Sequence, residues 1–118
     1  LWQPLPGTTN PAGNLCLHLC GNLQHYLGAA LGHTGYVRER EAEFTRHDVP
    51  RTELLQQIAQ TRKVVRDVLM HIDDWRAPYP EGWFRESGTI EWIVLRLLRH
   101  FWYHLGQINY HRRAVTAA

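Results

Sequence analysis

Three long stretches of the sequence repeat apolar residues at the three- and four-residue spacing of an amphipathic helix. The first runs from about Pro11 to Leu31, the second from about Pro50 to Ile72, and the third from about Ile90 to Arg113. No stretch sustains the strict two-residue alternation that is typical of a half-buried strand. The pattern therefore predicts an all-α fold in which the helices pack as a bundle.

Local signals indicate where these helices begin and how they are connected. Asn10 is expected to cap the first helix, with Pro11 at its first helical position. Gly21 lies inside that helix, where it lowers helix propensity but allows a neighbouring helix to approach closely. The polar connection Gly32–Val49 is long for a loop, so we expect it to have an ordered role, and Asp73–Gly88 is irregular.

The length of 118 residues suits a single domain spanning 1–118, and a hydrophobic content of 44% is enough for a core. Three helices and an extended apolar lead-in, from Leu1 to Thr9, leave apolar surface without a partner. We therefore expect one further helix, either upstream of Leu1 or supplied by a second subunit. The sequence does not start with Met, so we expect a trimmed or incomplete chain.

Charge and composition exclude several function classes. The net charge is only +2, so little attraction to phosphate is expected, and we predict no nucleic-acid partner. Trp75, Trp83 and Trp102 could stack on bases, but packing in a core or interface explains them better. No run of roughly 18 apolar residues is present, so no membrane span is predicted. Cys16 and Cys20 are too few for a disulfide framework, which favours free thiols and a cytoplasmic location.

Histidines are unusually frequent, with eight in the chain. His100 and His104 are four residues apart in the third predicted helix, so their imidazoles lie on adjacent turns of one face and could bind one metal ion. Gln107 continues the same stripe. A pair with this spacing is by itself more often an ordinary feature of a His-rich helix than a metal site.

A third histidine strengthens the metal hypothesis. His18 lies among leucines in the first helix, and Asn22 and His25 follow on the same face. A lone histidine there is usually a satisfied core residue, but both helices carry a polar stripe in apolar surroundings. If the polar stripes of the two helices face each other, their polar side chains need not be buried without hydrogen-bond partners, which would be costly. Three imidazoles with an open fourth position are typical of a catalytic metal site, whereas Cys16 and Cys20 point away from His18.

Three segments resemble conserved segments of DinB-like proteins. Asn14–Asn22 is similar to the family's N-L-x-x-H-L-x-G-N helix, and Arg38–Phe44 is similar to the R-x-R-x-x-E-F segment of one uncharacterised branch. His100–Ile108 resembles the H-x-x-x-H-x-G-Q-I signature of the last helix. The three segments occur in the family's order and together represent most of the chain.

This resemblance implies an up-down-down-up four-helix bundle whose first helix would precede Leu1. It also implies a divalent metal, commonly zinc or nickel, held by His18, His100 and His104. The superfamily includes thiol-dependent S-transferases and a maleylpyruvate isomerase that use a low-molecular-weight thiol. Its members are often homodimers, and many have no known reaction.

The hypothesis we favour is a metal-dependent enzyme, with a thiol S-transferase acting on a small-molecule substrate as its expected form. Asn22, His25 and Gln107 would contact the metal ligands or the substrate. Arg38 and Arg40 could hold a carboxylate, since arginine suits that partner. An equally good interpretation makes these arginines part of a solvated ion-pair loop with the acidic residues Glu39, Glu41 and Glu43.

Two alternatives remain open at this point. A metal-dependent hydrolase would need a carboxylate as general base, and no Asp or Glu lies on the stripe of His100. A non-catalytic bundle could use metal or a buried histidine network only to hold its helices together, and serve as a stress-related or interaction protein.

Overall fold

The computed structural model describes residues 1–117. They form the α-helices α1 (Ala12–Leu23), α2 (Arg40–Thr45), α3 (Arg51–Met70) and α4 (Ile90–Thr116), and a π-helical segment over Gln24–Ala29 that continues α1. No strand occurs within this range; its one β-bridge is isolated. The predicted all-α class is confirmed, and the three long helices correspond to the three amphipathic stretches.

The start of α1 differs from the prediction. Pro11, not Asn10, is in the cap position, with extended backbone angles (φ −66°, ψ 162°) and no side-chain hydrogen bond to the helix. The lead-in supplies the missing acceptor, because the Gly13 amide donates to the Leu1 carbonyl at 2.8 Å. The Trp2 ring lies directly over Gly13, where a Cβ would collide with it. The lead-in therefore packs on α1 as part of the fold.

The π-helical segment leaves one backbone carbonyl of the first helical stretch available to another part of the chain. The amides of Ala30 and Leu31 donate to His25 and Leu27, so neither serves the Tyr26 carbonyl. The Tyr79 hydroxyl donates to that carbonyl instead, at 2.7 Å. The irregular connection before α4 is thereby tied to the end of the first helical stretch.

Helix α2 lies within the polar connection that was predicted to have an ordered role, and its helical form was not predicted. A six-residue helix is too short to be stable by itself in water. Its support comes from α1, because the buried Asn14 side chain donates to the carbonyls of Glu43 and Arg46, at 3.1 and 2.8 Å. These bonds satisfy carbonyls at the C-terminal end of α2, which a helix leaves without internal partners.

The main core is formed by side chains of α3, α4, the π-helical segment and the connection before α4. Ile93 of α4 is completely buried, and Thr89 caps this helix by accepting a hydrogen bond from the Trp92 amide at 3.1 Å. The other buried members of this cluster are Leu27, Ala30, Val64, Val68, Tyr79 and Leu97.

Helix α1 is central, since it packs against α2, α3 and α4. Between residues 1 and 117, α3 and α4 have no Cα atoms within 8 Å of each other. They flank an apolar groove of about 940 Å³ whose floor is α1. Residues that line it include Cys16, Leu19, Leu54, Ile58, Leu98 and Phe101. Each helix of the described chain is too short or too polar to span a bilayer.

Ile93→Ala should lower the free energy of unfolding by about 2–5 kcal/mol, because it removes a fully buried side chain and leaves a cavity. Urea unfolding followed by circular dichroism measures the change. Leu95→Ala, on the same helix but 57% exposed, is the matched control and should stay within about 0.5 kcal/mol of wild type. Equal effects at both positions would contradict the packing described for α4.

Candidate metal centre

Three histidines meet where α1 packs against α4. His18, in the middle of α1, is buried, while His100 and His104, on adjacent turns of α4, are half-buried. One ring nitrogen from each lies within 4.8 Å of the others, in a group that could hold a metal ion. The structure thus brings together the three histidines that the sequence singled out.

The three rings meet by their edges. Their planes are inclined at 73° to 89° to one another, and their centroids are 4.5 to 5.0 Å apart. The Nε2 atoms of His18 and His100 are 3.0 Å apart. Two imidazoles on one tetrahedral zinc ion, with Zn–N bonds of about 2.0–2.1 Å, place their nitrogens about 3.3 Å apart. The spacing of this pair is therefore close to that of two imidazoles on one ion, and the third nitrogen, from His104, lies within 4.8 Å of both.

Two of the three rings are held from their Nδ1 side. His104 Nδ1 donates to Gln107 Oε1 at 2.6 Å, and His18 Nδ1 lies 3.0 Å from Glu43 Oε1. In both rings the Nε2 atom remains available on the opposite side. The His100 Nδ1 atom is buried and has no hydrogen-bond partner among residues 1–117.

Glu43 is the residue at this site that the sequence analysis missed. Its side chain is only 7% exposed, and both carboxylate oxygens accept hydrogen bonds from Arg38, at 2.8 Å from Nε and 2.9 Å from Nη2. A solvated ion-pair loop is therefore the wrong description of Arg38 and Glu43, although Glu39 and Glu41 are exposed. The length of the polar connection Gly32–Val49 predicted that this segment is ordered. It did not indicate which of its carboxylates is buried.

The absence of a side chain at Gly21 leaves space for the Glu43 carboxylate. A Cβ at position 21 would overlap the Glu43 side chain, so any larger residue would push the carboxylate away from α1. The predicted close approach at Gly21 is found, and the approaching element is α2. Burial by itself raises the pKa of Glu43, but hydrogen bonds from His18 and Arg38 and the arginine charge hold it below its ordinary value. Glu43 is therefore an anion at neutral pH.

The α4 histidines are neutral at physiological pH. Burial lowers the pKa of His100 to about 4, and repulsion from His104, His18 and Arg38 adds to the effect. Burial also lowers the pKa of His104, opposed by its hydrogen bond to Gln107. Metal ligation needs the unprotonated imidazole, so this environment prepares both rings for it.

Asn22 and His25 are two further residues that the sequence analysis assigned to the site. Asn22, one turn after His18, is buried, and its Oδ1 has no hydrogen-bond partner among the described residues. His25 belongs to the π-helical segment and packs on Trp83, with ring centroids 5.2 Å apart. Burial lowers the pKa of His25.

Arg40 and the two cysteines lie outside the three-histidine group. The exposed Arg40 guanidinium lies 5.5 Å above the Phe44 ring, and that ring packs against His18 at 4.9 Å. Cys16 and Cys20 are free thiols that line the apolar groove on another side of α1. They are not members of the three-histidine group.

Comparison with known proteins identifies one family. The family model of the DinB superfamily matches residues 1–108. No curated protein and no solved structure gives a match.

In the presence of a chelator, the free energy of unfolding should fall as the pH drops from about 6.5 toward about 4. His100 has its pKa lowered from 6.5 to about 4 in the folded state, so the unfolded chain binds more protons in this interval. Stability is then greater above the interval and is lost within it. Urea titrations at several pH values measure the slope.

His100→Gln should make that slope shallower, while the exposed His47→Gln should leave it as in wild type. A free energy of unfolding of the wild type that increases as the pH falls from 6.5 to about 4 would contradict the electrostatic description of the site.

Proposed function

Because the chain belongs to the DinB superfamily, we propose that it is a metal-dependent enzyme in which His18, His100 and His104 bind one divalent ion. The observation that carries this proposal is the convergence of their ring nitrogens within 4.8 Å. Three protein donors leave a coordination position for a substrate, as in catalytic zinc sites. Zinc or nickel is the expected metal, since imidazole nitrogen suits both.

For the reaction we propose transfer of a low-molecular-weight thiol to a small electrophile. A divalent ion held by His18, His100 and His104 would supply Lewis acidity, which would favour the thiolate form of a bound thiol. The thiol proton goes to solvent, the sulfur forms a bond to the electrophilic carbon, and the leaving group departs with its bonding electron pair. Gln107 keeps the His104 ring fixed, so that this ring need not reorient during the reaction.

Hydrolysis receives less support from the same geometry. A hydrolase would use a carboxylate as general base for water. Glu43 is the buried carboxylate beside the histidines, and its oxygens are already engaged by His18 and Arg38. It also lies on the Nδ1 side of His18, away from the Nε2 atom that faces His100.

Substrate contacts are proposed from the polar atoms that have no partner in the fold. Asn22 Oδ1 and His25 Nδ1 are buried and lack a hydrogen-bond partner within residues 1–117, so each could accept a hydrogen bond from a small molecule. Arg40 is exposed beside Phe44 and could hold a carboxylate group. Arg38 is committed to Glu43, so we do not assign it to the substrate.

Wild-type protein loaded with zinc or nickel and then desalted should retain one ion per chain by elemental analysis. His104→Ala should lose most of it, because two imidazoles hold a divalent ion far less tightly than three. His47→Ala, at an exposed histidine, should keep it. Wild-type protein without bound metal, or equal retention by both variants, would refute the metal site.

Removing the metal distinguishes a metal-dependent enzyme from a helical bundle in which the metal only stabilises the fold. We expect chelation to abolish conjugation of cysteine to chlorodinitrobenzene and to lower the melting temperature only modestly, with activity restored by zinc or nickel. A large fall in melting temperature in a protein that never shows turnover would instead support the non-catalytic alternative.

A further inference from the structure

We infer that Glu43 is the positioning residue of the three-histidine site: its carboxylate holds the His18 Nδ1–H and thereby directs Nε2 toward the metal. The inference rests on the proposed function, because it assigns to Glu43 a role in the same centre. It also gives α2, which contains none of the three histidines, a role in orienting one of them.

The hydrogen-bonding groups around His18 favour one tautomer. Nδ1 lies 3.0 Å from Glu43 Oε1, an acceptor, and 3.3 Å from Arg38 Nη2, a donor. Arg38 Nη2 already donates to Oε1 at 2.9 Å. A proton on Nδ1 completes the shorter contact, whereas a lone pair there would face the carboxylate oxygen at 3.0 Å. The Nδ1–H form is therefore preferred, and it leaves the lone pair on Nε2.

That lone pair is directed toward His100, since Nε2 is the atom that lies 3.0 Å from His100 Nε2. A carboxylate behind a metal-binding histidine fixes the ring orientation and raises the basicity of the ligating nitrogen. Gln107 occupies the corresponding place behind His104, but it is a neutral acceptor. Glu43 is thus the stronger of the two partners.

Several features of the chain hold Glu43 in this position. Gly21 leaves space for the carboxylate against α1, and Asn14 binds the Glu43 carbonyl at 3.1 Å. Arg38 binds both oxygens and is itself only 8% exposed, so the carboxylate is fixed in direction as well as ionised. A surface ion pair needs none of this; Arg46 and Glu53 form one with both side chains about 40% exposed.

The test compares Glu43→Gln with Glu41→Gln, which removes an exposed carboxylate from the same helix. Cobalt(II) is the probe, because its affinity can be measured by competition with a chelator and its visible spectrum reports ligand geometry. Glu43→Gln should bind cobalt about 10–100-fold more weakly, with an altered spectrum. Glu41→Gln should match wild type in both measurements.

Equal affinity and identical spectra for wild type and Glu43→Gln would overturn the role of Glu43 and leave the three-histidine site intact. Failure of wild type to bind cobalt would refute the proposed function itself. Nitrogen-15 NMR of wild-type histidines gives a test that needs neither metal nor a variant. It should find the His18 proton on Nδ1; a proton on Nε2 would overturn the inference, even if Glu43→Gln did not fold.

Discussion

The buried contact between the Glu43 carboxylate, Arg38 and His18 is the constraint on which the rest of this structure depends. Charged groups this deeply buried must be paired, and removing one partner of such a pair typically costs about 3–5 kcal/mol. The contact joins α2 to α1 across Gly21, so a six-residue helix with little stability of its own acquires a fixed place. The same contact orients the one histidine that α1 supplies to the site.

Helix α1 separates two chemically different environments. One side carries His18 and faces the polar group formed with α4, while another side carries the free thiols of Cys16 and Cys20 and forms the floor of an apolar groove. The π-helical segment after Leu23 then changes the register of the chain. His25 of this segment packs against Trp83, and the Tyr79 hydroxyl donates to the Tyr26 carbonyl, which anchors the segment to the core.

Periodicity was sufficient to predict the long helices and the meeting of His18 with His100 and His104. These features depend on helical spacing within an element and on the cost of burying a polar stripe unpaired. Glu43 could not be selected in this way, because its contact with His18 joins residues 25 positions apart and depends on a short helix without a periodic pattern. The π-helical form of Gln24–Ala29 was not predicted, because a regular helical wheel does not contain such a turn. The cap of α1 was wrongly predicted because the Leu1 carbonyl, and not the Asn10 side chain, accepts a hydrogen bond from the helix, from the Gly13 amide.

X-ray absorption of the zinc-loaded protein, recorded without added thiol, tests the central claim most directly. The account predicts a first shell of nitrogen and oxygen atoms at about 2.0–2.1 Å, with the multiple-scattering pattern of imidazole rings and no sulfur. A sulfur shell at about 2.3 Å would show that Cys16 or Cys20 binds the metal, and it would contradict a centre built from His18, His100 and His104.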